Sequence, residues 1–157
     1  MDDTGRAVDR ALRSLALRAH SEQEIVDKLT RAGYDEQTIA GAMARLAEYS
    51  LVDDASFATQ WAQARTRRGM GPWRIARELR DKGIDRETAD EALSNLDEDA
   101  ALEQATALAL KHLRRADKNA RSRAHGALIR RGYGYDTARQ ALDRALAELD
   151  EEALEDE

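Results

Sequence analysis

The chain has 157 residues, 36% of them charged, with one proline, nine glycines and no cysteine. That composition favours helix over strand and excludes disulfides and thiolate metal sites. The net charge is −6, and its distribution along the chain is more telling than that value. No run approaches the ~18 apolar residues of a membrane span. The acidic start Met1-Asp2-Asp3 lacks the basic and apolar regions of a signal peptide, so the expected compartment is the cytoplasm.

In chain order, the first element is a helix over about residues 5–18. The second is capped by Ser21, whose Ser21-x-x-Glu24 spacing is a capping box, and the third by Asp35. Asp53 or Asp54 caps the fourth, which carries Phe57, Ala58 and Trp61. Gly71-Pro72 opens the fifth, proline being suited to the first helical position, and Asp85 caps the sixth. The last three cover roughly 97–115, 120–131 and 136–150, and the acidic tail 151–157 is expected to be frayed or disordered.

These nine helices form three sets, because Gly33, Gly83 and Gly132 recur at spacings of 50 and 49 residues within one pattern. A leucine stands four residues before each (Leu29, Leu79, Leu128) and a large apolar residue just after each (Tyr34, Ile84, Tyr133). A glycine just past a helix end takes the left-handed conformation cheaply, and in a Schellman cap the next residue packs back on the third-from-last helical residue. The fold class is therefore all-α, as three tandem three-helix repeats over 1–51, 52–96 and 97–150.

Charge is segregated along the chain. Residues 65–82 carry an excess of five positive charges, in Arg65, Arg67, Arg68, Arg74, Arg77, Arg80 and Lys82. Residues 111–131 carry an excess of seven, in Lys111, Arg114, Arg115, Lys118, Arg121, Arg123, Arg130 and Arg131. Acidic segments 85–103 and 148–157 each sum to −7. Such segregation fits surfaces aimed at charged partners, whether phosphates or acidic protein patches, although charge runs on helices are commonly solvated faces. Arg65, Arg67 and Arg68 end one helix while Arg74 and Arg77 stand three apart on the next, so a short turn brings them toward one surface. The predominance of arginine over lysine, 21 to 4, suits bidentate recognition of carboxylate or phosphate.

The remaining candidates read mostly as scaffold. Asp53 and Asp54 could pair on a metal, but aspartates at a helix start more commonly accept backbone N–H groups. Phe57 and Trp61 share a face and are expected in the core. Trp73, beside Arg74 and Arg77, is either a partly buried capping contact or a ring that stacks on a base. Gly69 and Gly71 lack the lysine and spacing of a phosphate-binding loop and read as a turn. His20, His112 and His125 are scattered and no nucleophile stands in a catalytic motif, so an enzyme is not expected, nor any cofactor or metal. A helix-turn-helix reading of residues 21–48 fails on its second helix, where Arg45 is the sole cation.

The stretch Tyr49-Ser50-Leu51-Val52-Asp53-Asp54-Ala55-Ser56-Phe57-Ala58, followed by Arg65, Gly69-Met70-Gly71 and Ile75-x-x-Glu78-Leu79-x-x-Lys82-Gly83-Ile84, resembles the signature of the RecX family, which regulates the RecA recombinase. The likeness covers roughly residues 10–147. The resemblance implies an elongated, curved, solenoid-like array of repeats that lies in the groove of the RecA–single-stranded DNA filament and suppresses filament growth, ATP hydrolysis and strand exchange. It departs at Ser56, where a basic residue is common, and at Ala124, which replaces the isoleucine of Ile25 and Ile75. On this reading the arginine clusters and Lys82 meet RecA, the filament's single- or double-stranded DNA, or both, and the protein acts as a monomer. The acidic tail is a solubilising end or a phosphate mimic that covers the protein's own basic surface. Alternatives are a non-specific DNA-binding helical repeat and a generic helical interaction scaffold.

Overall fold

The computed structural model describes residues 2–156, and among them lie nine α-helices and no strand. They are α1 (Asp3–Leu17), α2 (Glu22–Arg31), α3 (Glu36–Glu48), α4 (Asp54–Arg67), α5 (Pro72–Asp81), α6 (Arg86–Ser94), α7 (Glu98–Leu113), α8 (Ala120–Arg130) and α9 (Tyr135–Glu155). The helices start where the capping residues place them. Ser21 and Glu24 close a capping box, and Asp35 and Asp85 accept the N–H groups of Thr38 and Thr88 at 2.8 and 2.7 Å. Of the two aspartates at α4, Asp53 is the cap, accepting from Ser56 N–H at 3.2 Å. Asp54 instead accepts from the backbone N–H of Glu22 at 2.8 Å and ties α4 to the start of α2.

The three repeated glycines stop α2, α5 and α8 with φ of +95°, +80° and +96°. In each case the following residue donates its N–H to the leucine five positions back: Tyr34 to Leu29, Ile84 to Leu79 and Tyr133 to Leu128, at 3.0–3.2 Å. These are the two-bond Schellman ends that the sequence pattern implies. Gly69 ends α4 the same way, with φ +80° and Met70 N–H on the Arg65 carbonyl, which accounts for the expected turn. Ser50 ends α3 with φ +53°, taking without glycine a conformation that costs most residues energy.

The chain packs as two compact units. The first comprises residues 1–60 and 79–92. Its core joins α1, α2 and α3 through Ala7, Ala11, Ile25, Leu29, Ile39, Ala42, Leu46 and Val52. Phe57 and Ala58 are also buried in this unit, as expected of the signature, whereas Tyr49 is exposed. Here the start of α2 meets the end of α5: Ser21 Oγ donates to the Lys82 carbonyl at 2.7 Å while accepting the Glu24 N–H. Gly83 lies so close to Gln23 that a methyl group in its place would collide with that side chain.

The second unit comprises residues 61–78 and 93–157, with a core of α7, α8 and α9. Alanines at 105, 109, 124, 138, 141 and 145 are all fully buried there and let the helices approach closely around Leu128 and Tyr133. Within it the start of α5 meets the end of α8. Gly71 N–H donates to the Arg131 carbonyl at 2.7 Å and Trp73 N–H to the Gly132 carbonyl at 3.0 Å. N-terminal donors of one helix thus satisfy C-terminal acceptors of another, with their dipoles complementary.

The expected end of the last helix at 150 is corrected. Helix α9 continues to Glu155, so the acidic segment is helical rather than frayed. Its residues are mostly strong helix formers, Leu146 and Leu149 keep contact with the core, and Glu152 is clasped by Arg114.

Candidate cationic interface

Apart from Arg80 and Lys82, which fall in the first unit, both arginine clusters are built in the second unit, and the structure separates those arginines that hold the fold from those that face outward. Arg65 belongs to the first kind. Its Nε and Nη2 donate to the two carboxylate oxygens of Glu78 at 2.9 Å each, and its guanidinium lies 5.6 Å from the centre of the Trp61 ring. The Trp61 indole N–H also donates to Glu78, at 3.3 Å. Arg65 and Glu78 are about four-fifths buried, so this bidentate pair fastens α4 to α5. Trp61 is half-buried rather than fully in the core, because its ring roofs this ion pair.

The turn between α4 and α5 brings other arginines together. The Arg131 guanidinium donates to the Arg68 carbonyl at 3.3 Å. Arg74 is pressed against Gly132, where an added Cβ would fall 2.5 Å from its backbone nitrogen. Arg68, Arg74 and Arg131 therefore lie round one turn. Only a loose 3.9 Å contact links Arg74 to Glu78. Arg67 and Arg130 are exposed at the ends of α4 and α8, and Arg77 is exposed midway along α5.

Two open aromatic rings join these cations. Trp73 is 66% exposed, which favours the open ring over the buried capping contact, and its indole lies 3.9 Å from where a Gly134 Cβ would stand. Tyr135, one residue on, is also 66% exposed and stacks on His125 at 5.9 Å between centres and 24° between planes. Tyr135 and His125 had no distinguishing signal in the sequence. The one available hint is the Tyr-Gly-Tyr run, whose first ring serves the Schellman cap and so leaves the second without a core position.

The other cluster divides in the same way. Arg123 binds Asp117 at 3.0 Å and the carbonyls of His112 and Arg115 at 2.9 and 2.8 Å, closing the end of α7. Hydrogen bonds from the Asn119 backbone and from Arg123 hold the Asp117 carboxyl below its usual range. Arg114 makes a bidentate pair with Glu152 at 2.8 and 2.9 Å. Lys111, Arg115, Lys118 and Arg121 are exposed. Desolvation, then the charges of Arg123 and Lys111, lowers the His112 pKa. Lys82 lies in the first unit, 3.2 Å from Glu24. Among the described residues no group of His, Cys, Asp and Glu is arranged to hold a metal ion, and no helix is long and apolar enough to cross a membrane.

Successive three-helix units capped by recurring glycines define an all-helical repeat protein. The chain belongs to the RecX family. The model of the RecX first three-helix domain matches residues 7–46 and that of the second matches residues 53–93. The chain is 37% identical over 145 residues to a regulatory protein RecX of Prosthecochloris aestuarii, covering 92% of this chain and 96% of that one. It is 39% identical over 147 residues to the regulatory protein RecX of Mycobacterium sp. (strain JLS), covering 88% and 79%. The fold matches the crystal structure of RecX from Lactobacillus salivarius with a TM-score of 0.84 at 24% identity, over 92% of this chain and 97% of that one. A second crystal structure, of a regulatory protein RecX, gives a TM-score of 0.83 at 26% identity, over 90% and 74%.

Proposed function

We propose that this chain is a non-catalytic regulator that binds the RecA–single-stranded DNA filament in the cytoplasm and inhibits its growth, ATP hydrolysis and strand exchange. It acts as a monomer of three modules over 1–51, 52–96 and 97–150. Membership of the RecX family supports this reading. The observation that carries it is the outward arginine set beside open aromatic rings, Arg68, Arg74 and Arg131 with Trp73 and Tyr135. Arg67, Arg77 and Arg130 extend that face, and Lys111, Arg115, Lys118 and Arg121 supply a second one. Arginine forks and ring faces together suit a strand of phosphates and bases, or the acidic groups of a filament protein.

The test is ATP hydrolysis by preformed RecA–single-stranded DNA filaments, titrated with this protein well below one copy per RecA. A strong fall is expected. The variant R74E/R77E is expected to inhibit at least tenfold less well with unchanged helical circular dichroism. No fall even at excess would overturn the regulator reading, and full inhibition by R74E/R77E would overturn the assignment of that face. Trp73 and Tyr135 favour a second, accompanying reading, direct non-specific contact with single-stranded DNA. Binding to polythymidine without RecA is then expected to fall steeply with salt and to weaken in Trp73→Ala.

A further inference from the structure

The first unit carries a cationic surface of different character. Between α1 and α2 lies an open groove of about 480 Å³ lined by Arg10, Arg13, Ser14, Leu17, Lys28 and Arg31, with no carboxylate among its walls. Like charges stand three apart on each helix, Arg10 with Arg13 and Lys28 with Arg31, an arrangement that is mildly destabilising by itself. Lys28 and Arg31 occupy the last turn of α2, where the helix dipole favours cations. No such account covers Arg10 and Arg13, which lie before the last turn of α1. Among the described residues no carboxylate pairs with Arg10, Arg13 or Arg31, while Lys28 Nζ donates to Ser14 Oγ at 3.1 Å. Four cations are thus gathered in one concavity whose own walls hold no carboxylate, the nearest acids lying in the adjoining recesses, Asp9 beside Arg13 and Asp27 beside Lys28 and Arg31.

The apolar companions of those cations indicate what they meet. Leu17 is 86% exposed at the groove's edge, and Leu12 is exposed beside a shallower recess next to Arg13. No aromatic side chain lines the groove. Base stacking needs a ring face, whereas exposed leucine matches an aliphatic side chain. We infer that the α1–α2 groove is a docking site for an acidic segment of a partner protein, with its carboxylates on Arg10, Arg13 and Arg31 and an aliphatic side chain on Leu17. Arginine forks take carboxylates bidentately, so such a segment gains orientation as well as charge neutralisation. The aliphatic contact at the groove's edge then distinguishes it from a merely acidic chain.

The experiment is fluorescence anisotropy with three labelled probes on the full chain: a twelve-residue peptide of repeated Asp-Glu-Leu, twelve-residue polyglutamate, and twelve-nucleotide polythymidine. The Asp-Glu-Leu peptide is expected to bind at least tenfold more tightly than polyglutamate. R10E/R13E is expected to weaken it at least tenfold, and Leu17→Ser at least threefold while leaving polyglutamate unchanged. R10Q/R13Q serves if the charge reversal disturbs the helical circular dichroism, and Leu17, being exposed, can be changed without touching the core. Failure of the peptide to bind, equal affinity for polyglutamate, or indifference to Leu17→Ser would overturn the proposal. A loss in R10E/R13E confined to polythymidine would also overturn it, by making the groove a nucleic-acid contact. None of these outcomes depends on whether the chain inhibits RecA filaments.

Discussion

Replacing Glu24 by glutamine tests the joint between the start of α2 and the end of α5. The carboxylate accepts from the Arg18 guanidinium at 2.7 Å, from the Ser21 N–H at 3.1 Å and from Lys82 Nζ at 3.2 Å. Burial by itself would raise the pKa of this group, but the hydrogen bonds from Arg18, Ser21 and Lys82 outweigh it and hold the value at about 2 instead of 4.5. At about 1.36 kcal/mol per unit that displacement corresponds to roughly 3 kcal/mol, and screening around the half-exposed Arg18 reduces it to about 2. Because the folded-state pKa is depressed, the stabilisation is complete above the unfolded value of 4.5 and is lost as pH falls from there through about 2. Urea unfolding followed by circular dichroism is expected to show Glu24→Gln less stable by about 2 kcal/mol near neutral pH. The gap should close on acidification, since a protonated glutamate and a glutamine make similar hydrogen bonds. A gap of constant size from neutral to strongly acidic pH would refute the electrostatic argument, and no gap at neutral pH would refute the joint itself.

Two further substitutions probe the backbone. Gly71→Ala drives a methyl group into the backbone of Gly132 and Tyr133 and disturbs the Gly71 hydrogen bond to Arg131. It should cost about 3 kcal/mol or more in urea unfolding, and a loss under about 1 kcal/mol would show that this approach is not tight. Ser50→Gly relieves a left-handed residue at the end of α3. Set against the greater freedom of glycine in the unfolded chain, the net gain should be about 0.5–1 kcal/mol, read as a higher melting temperature. An unchanged or lower melting temperature would contradict it.

Much of the fold was legible because its signals are local. Ser21, Asp35 and Asp85 cap helices from within three residues, and each Schellman glycine closes bonds inside six residues. The outward site was half legible. A count of arginines along the chain cannot tell a strut from a free cation, since the partners that occupy Arg114 and Lys82 lie 38 and 58 residues away. The same distance hid the helical end of α9, which read as a charge run until Arg114 supplied its anchor. Asp54 was ambiguous with Asp53 because its role is to receive the start of α2, 32 residues earlier. The groove on α1 and α2 was invisible for a different reason: its four cations are spread over 22 residues and form no run.

The joints at the two ends of α5 carry a consequence for how such a chain can drift. At Gly71 and Trp73 both partners in the hydrogen bonds are peptide groups, and at Lys82 the acceptor is again a carbonyl. Main-chain chemistry is the same whatever side chains surround it, so these junctions constrain only a few positions: a glycine where chains touch and a hydroxyl where one is needed. The helix faces between them are then left open to substitution, provided that apolar spacing is kept. A fold held in this way can persist while identity falls to 24%, because surface side chains can change without renegotiating the architecture.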